Sequence, residues 1–201
     1  MSKVTSESTS TTNPWTLSTW RIVIAGVLAA ITIVMGIVPG IGFIPVPNIT
    51  ASATIEHVPT ILGGVLGGPI VGMITGLVFG LVSFFRSTTP IFKDPLVAIV
   101  PRILIGLTSW LVYAGLQRFN RSVAAFIAGL VGAATNTFFV LTFAIWRGYL
   151  PLAVVPLILP QAIAEAIIAA FLTMIIAGAV QIVQGRYVRA PETKSRDQLP
   201  Y

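Results

Sequence analysis

Cysteine is absent from the 201 residues, which removes disulfide frameworks, thiolate nucleophiles and sulfur-ligated metal centres. Histidine occurs once, as His57, and a lone imidazole lacks the companion ligands that a zinc site needs, so no metal is expected. Charge is scarce as well. Only 9% of residues are Asp, Glu, Lys or Arg, against roughly 25% in an ordinary soluble domain. The sequence contains no HExxH, no GxSxG, no GxxxxGK[ST] and no paired acidic motif for magnesium, so hydrolytic, metal-dependent and nucleotide-driven catalysis have little to draw on. A non-enzyme without a cofactor is expected.

Apolar residues fill the space that charge leaves. Hydrophobic side chains make up 55% of the chain, and from Thr54 to Arg86 the run is almost uninterrupted, with Gly64, Gly68, Gly72, Gly76 and Gly80 four residues apart. Lipid tails are as apolar as leucine, so helices in a bilayer associate through close backbone approach, and small residues at every fourth position give one helical face a smooth stripe. The stripe predicts an intramembrane packing surface. The net charge of +6 comes from basic residues scattered at the ends of apolar segments, a pattern of membrane topology rather than nucleic-acid binding.

A spanning helix needs about 20 apolar residues. Segments 20–38, 69–86, 96–117, the stretch from Arg121 to Trp146, and 157–184 meet or approach that length, and 54–67 forms a shorter helix that its neighbours must shelter. The first segment lacks a small-residue cleavage site, so it is expected to be retained rather than removed as a signal peptide. Gly67-Gly68-Pro69 separates the second and third helices. Residues 40–53, with two prolines, form an extended and unusually apolar loop. Pro151, Pro156 and Pro160 leave the start of the last helix open between several positions. The expected architecture is all-α: a six-helix transmembrane bundle over 19–185, with a flexible tail at 1–18 and a polar tail at 186–201.

Six spans put both termini on one side. If that side is cytoplasmic, the inner segments hold Lys3, Arg21, Arg118, Arg121, Arg186, Arg189, Lys194 and Arg196, and the outer loops hold Arg86, Lys93 and Arg147. The bias supports a cytoplasmic location for both ends in a prokaryotic plasma membrane.

Ionisable groups at membrane depth cost roughly 2.5–3.5 kcal/mol on insertion scales, so each calls for a partner or a role. Arg102 and Glu165 lie roughly 10–12 Å below the outer surface at about 1.5 Å per residue, at one level. Two readings stand side by side: an ion pair joining two helices, or an Arg102 that holds a ligand carboxylate through its planar donor fork. Asn136, flanked by Thr135 and Thr137, lies roughly 15 Å deep, where it makes either an interhelical hydrogen bond or the floor of an outward-facing pocket. Glu56 and His57 open the second helix close to the outer surface. All these polar groups fall in the outer half, which suits a ligand cavity open to the outside and capped by the 40–53 loop.

The stretches SATIEHVPTILGGVLGGPIVGMITGLVFG, DPLVAIVPRILIGL and ATNTFFVL together resemble the substrate-binding S components of energy-coupling factor (ECF) vitamin transporters, closest to the pantothenate-specific PanT group, over residues 21 to 184. The resemblance implies a bundle that binds a vitamin from outside and docks on a module of one transmembrane T component and two ATPases, which supply the ATP hydrolysis. It also implies loops between helices 1 and 2 and between helices 3 and 4 as lids, and an AxxxA docking face, matched by Ala25 and Ala29. Where that group is expected to carry Asn in an NPLVS-like stretch, this chain has Asp94. Pantothenate, with one carboxylate, an amide and two hydroxyls on an apolar body, would be met by Arg102, Asn136, Gln161, Glu165 and His57, with Phe43, Ile44, Pro45 and Val46 closing over it. Pyridoxine, riboflavin or folate within the same architecture, and a proton-coupled carrier using Glu56, His57 and Glu165, stand as rival readings.

Overall fold

The computed structural model describes residues 13–38, 40–45 and 52–188, with the backbone alone at 43–45, 52–53 and 186–188. Most of the two expected tails, at 1–12 and 189–201, and Val46 of the expected lid lie outside the described residues.

Helix α1 spans Thr19–Ile37 and is capped by Ser18, whose hydroxyl accepts from the Arg21 N–H. A two-stranded antiparallel hairpin follows, β1 at Phe43–Pro45 and β2 at Ser52–Thr54, with Phe43 opposite Thr54. Because β2 is extended, the second helix α2 begins at His57 instead of residue 54; it runs to Leu62 and continues as a π turn over Gly63–Gly67. Then come α3 (Pro69–Arg86), the short α4 (Pro95–Ala98), α5 (Val100–Leu116), α6 (Arg121–Trp146) and α7 (Val155–Val188). Among the described residues, five helical stretches are long and apolar enough to cross a membrane, and His57–Gly67 is the short sixth. The expected bundle with a short second helix is what forms.

Other boundaries differ from expectation as well, and the helix expected over 96–117 is divided at Ile99 into α4 and α5. The last helix starts at Val155, with Pro156 in its first turn where no N–H is needed, and it accommodates Pro160 internally. It then continues to Val188, so its 34 residues reach about 50 Å, beyond the roughly 30 Å apolar core of a bilayer. Gly68, expected within the packing stripe, is the break between the π turn and α3. Its φ of 92° is left-handed backbone that glycine tolerates, and Pro69 disfavours helix in the residue before it.

The other stripe glycines face α5. A Cβ on Gly72 would stand 2.8 Å from the Gly106 carbonyl oxygen, one on Gly80 would stand 2.8 Å from Ile99 Cα, and one on Gly76 would collide with the Arg102 carbonyl. Gly64, from the π turn, meets the same Gly106 carbonyl. Helices α1, α3, α5, α6 and α7 pack in that order, and α2 sits inside, touching all five. Ile61, Val71, Phe79 and Ile105 form the fully buried centre of this core.

Polar contacts are not confined to the outer half, contrary to expectation: Gln181 Nε2 donates to the Tyr113 hydroxyl at 2.8 Å, far along α5 and α7 from Arg102 and Glu165.

Replacing Gly106 with alanine is expected to destabilise the fold by about 1–3 kcal/mol, the usual range for overpacking. Gly115 lies on the same helix with open space around its Cβ position, so Gly115→Ala should leave stability unchanged or raise it by up to about 1 kcal/mol. Thermal melts of the two variants in detergent decide the matter. Equal melting temperatures would show that the α3–α5 contact is slack.

Candidate functional site

Helix α2 is enclosed on all sides, yet its first turn is polar. Glu56, His57 and Thr60 are buried to within 1%, deeper than the near-surface position expected for the first two. Among the described residues, neither carboxylate oxygen of Glu56, neither ring nitrogen of His57 and not the Thr60 hydroxyl has a hydrogen-bond partner. Buried polar groups without partners cost about 1–3 kcal/mol each, so this much unmet hydrogen-bonding capacity on one short helix makes it the candidate site.

Arg102, near the start of α5, faces the same region. It is 4% exposed. Its Nη1 donates to the Val97 carbonyl at 2.7 Å, its guanidinium lies over the rings of Phe79 at 5.2 Å and Phe92 at 5.0 Å, and its Nε has no partner. Glu56 and His57 both lie within its electrostatic range.

Glu165 is engaged elsewhere. Its Oε1 accepts from the Thr54 backbone N–H at 3.1 Å and from Gln161 Nε2 at 2.6 Å, which fastens strand β2 to α7. The ion pair considered between Arg102 and Glu165 therefore does not form. α2 and α6 pack between α5 and α7, and the carboxylate acting on Arg102 is that of Glu56.

Asn136 is half-buried on α6 with its Oδ1 unpartnered, and its neighbour Thr135 bonds Thr108 of α5 at 3.1 Å. The expected set thus divides into His57 and Arg102 at α2 and α5, Gln161 and Glu165 at the hairpin, and Asn136 on α6. The side chain of Phe43 lies outside the described residues. Ala25 is turned into the core and Ala29 is half-buried, whereas Gly26 and Ala30 lie on the outward face of α1.

Sequence reasoning left Glu56 and Thr60 out of the site. Their spacing of four places them on one helical face, and an acid inside an apolar run was the available signal. It also left the role of Asp94 open. Asp94 Oδ1 caps α4 by accepting from the Leu96 N–H at 3.0 Å, and its Oδ2 accepts from Arg147 Nε at 2.6 Å and from the Tyr149 hydroxyl at 3.4 Å. Its side chain is 5% exposed, against 51% for Arg147. This carboxylate ties the loop before α4 to the loop after α6 and is committed to those partners.

The residues converging at α2 and the enclosing helices define an integral membrane protein with an internal polar site, and no metal-binding or nucleophilic constellation was read in the sequence. The family model described as the ECF transporter, substrate-specific component, matches residues 20–177, and the chain belongs to that family. Its members are substrate-binding components of transporters, not enzymes. Among solved structures, the S component of a bacterial ECF transporter shares the fold with a TM-score of 0.55, covering 85% of this chain and 98% of its own at 19% identity. No curated protein matches the chain.

The Arg147 hydrogen bond holds the Asp94 carboxyl below its ordinary value of 3.8; burial opposes this, and the Leu96 N–H, the Arg147 charge and the Tyr149 hydroxyl reinforce it. With the folded value depressed, the unfolded chain binds the proton more readily. The contribution is therefore full above about pH 5 and is lost as pH falls through the folded value. Asp94→Asn should melt below wild type at pH 7, and the gap should close in acid. A gap that is constant from pH 7 to about pH 3 would rule out the ionised clamp.

Proposed function

We propose that this chain captures pantothenate from the outer side of the plasma membrane and delivers it by docking on a T component with two ATPases. The observation that carries the reading is Arg102, a buried guanidinium that among the described residues has an unpartnered Nε and no carboxylate in hydrogen-bonding contact. A ligand carboxylate supplies what that cation lacks. His57 and Asn136, each with unpartnered atoms, offer neutral groups for the amide and hydroxyls of such a ligand, and the apolar residues around them match its branched body.

The hairpin fastened by Glu165 and the loop fastened by Asp94 serve as lids. Both termini face the cytoplasm in this reading, in keeping with the basic residues at the inner segments. Ala29 and the outward Gly26 and Ala30 give α1 a smooth face for the T component. The partner ATPases hydrolyse the ATP.

Purified chain in detergent should bind pantothenate tightly at equilibrium, and pyridoxine, riboflavin and folate should fail to displace it. Arg102→Gln should weaken binding by about 10- to 100-fold, the worth of a charge-assisted hydrogen bond. Unchanged affinity in a folded variant removes Arg102 from the site. In liposomes carrying a proton gradient but no ATP, the chain alone is expected to bind without accumulating ligand; uptake under those conditions would establish a self-sufficient carrier instead.

A further inference from the structure

Glu56 is fully buried, and among the described residues its carboxylate has no hydrogen-bond partner. Its carboxylate is directed between α1 and α3: a Cβ placed on Gly36 would stand 2.5 Å from Glu56 Oε1 and would also meet the Val82 side chain. Val82 lies three residues along α3 from Phe79, on the same side of the helix, and Phe79 carries the Arg102 guanidinium on its ring. One face of α3 is therefore bordered by a carboxylate at Val82 and by a guanidinium at Phe79. Glu56 and Arg102 act on each other electrostatically, and Arg86 acts on Glu56 as well, yet among the described residues Glu56 Oε1 and Oε2 and Arg102 Nε have no hydrogen-bond partner. Opposite charges that close into a salt bridge would satisfy these atoms mutually. Here neither group satisfies the other.

The hydrogen-bonding inventory then restricts what fits between them. A guanidinium only donates, so the group that meets Arg102 must be an acceptor such as a carboxylate. Where Glu56 is ionised it only accepts, so the group that meets it is a donor: a hydroxyl or an ammonium. His57 and Thr60, on the same turn and also unpartnered, can each donate or accept and so suit a second hydroxyl.

We propose that Glu56 is a ligand-recognition residue opposite Arg102, and that the site selects a small organic acid that also carries a hydroxyl or ammonium donor. The proposal rests on the vitamin-binding reading above and adds the group that separates hydroxylated acids from plain ones. An acid without donors leaves Glu56 buried and unmatched, and a neutral polyol leaves Arg102 so.

The test is equilibrium binding to purified full-length chain in detergent, wild type and Glu56→Gln. The two probes are pantothenate and N-(3,3-dimethylbutanoyl)-β-alanine, which keeps the carboxylate and amide but lacks both hydroxyls. In Glu56→Gln, pantothenate affinity should fall by about 10-fold or more, while the dehydroxylated probe should bind both chains within about two-fold. Equal pantothenate affinity in a folded, monodisperse Glu56→Gln overturns the assignment. If that variant does not fold, Glu56→Asp keeps the charge and withdraws the carboxylate. It should weaken pantothenate selectively, and indifference to both probes counts against Glu56. Should wild type not bind pantothenate at all, the pantothenate reading falls on its own. Glu56 is then judged on riboflavin, pyridoxine and folate: a donor-bearing binder that Glu56→Gln weakens supports the role, and a binder indifferent to the variant, or no binder, overturns it.

Discussion

The backbone contact between Gly72 and Gly106 sets the rest of the structure. In a bilayer there is no water to drive helices together, so their separation is decided by how closely the backbones can approach. Here α3 and α5 meet with no side chain between them, which brings the Arg102 carbonyl against Gly76 and sends the Arg102 side chain along the surface of α3 to the ring of Phe79. A desolvated cation over an aromatic face is worth about 2 kcal/mol, and this guanidinium has two such faces and one carbonyl. Against an insertion cost of roughly 2.5–3.5 kcal/mol, those contacts hold the charge in place without an acid in contact. The donor that remains is what a ligand can use.

The same close packing explains why α2 can be short. A six-residue helix does not span a bilayer, but enclosed by five neighbours it need not meet lipid at all. An enclosed helix is usually apolar all round. This one is apolar at Val58, Ile61 and Leu62 and polar at Glu56, His57 and Thr60. With a total stability of about 5–15 kcal/mol for a typical domain, unpartnered groups costing about 1–3 kcal/mol each are a substantial concession. Such violations of the ordinary burial rule are expected at functional or strained sites.

Helix number, the short second helix and the glycine face were legible because each has a local signal: apolar length, a Gly-Gly-Pro stop, a four-residue spacing. Helix rotation was not, for a physical reason. Lipid and protein core are both apolar, so a lipid-facing Val23 or Val27 and a core-facing Ile24 or Leu28 look alike in the sequence. That ambiguity concealed which small residues of α1 face outward, and it let Arg102 and Glu165, at equal depth, be paired when other helices stand between them. The Asp94 to Arg147 clamp joins residues 53 positions apart, beyond any local pattern. The hairpin was legible only as extended chain, because its pairing depends on which strands meet.

Strand β2 links the lid and the site through very few bonds. The Thr54 N–H is held by Glu165 of α7, the Thr54 hydroxyl donates to the Gly42 carbonyl at 3.2 Å, and the Glu56 N–H donates to that same hydroxyl at 3.2 Å. Three residues thus connect the fastening of the hairpin to the buried Glu56 carboxylate. The backbone between Thr54 and Glu56 has no slack, since Ile55 also donates to Gly42 at 3.1 Å. The positions of Glu56 and of β2 are therefore tied to each other through this backbone. In the proposed reading, closure of the hairpin and occupancy of the polar site on α2 are coupled, because the chain gives them a single short stretch of backbone to share.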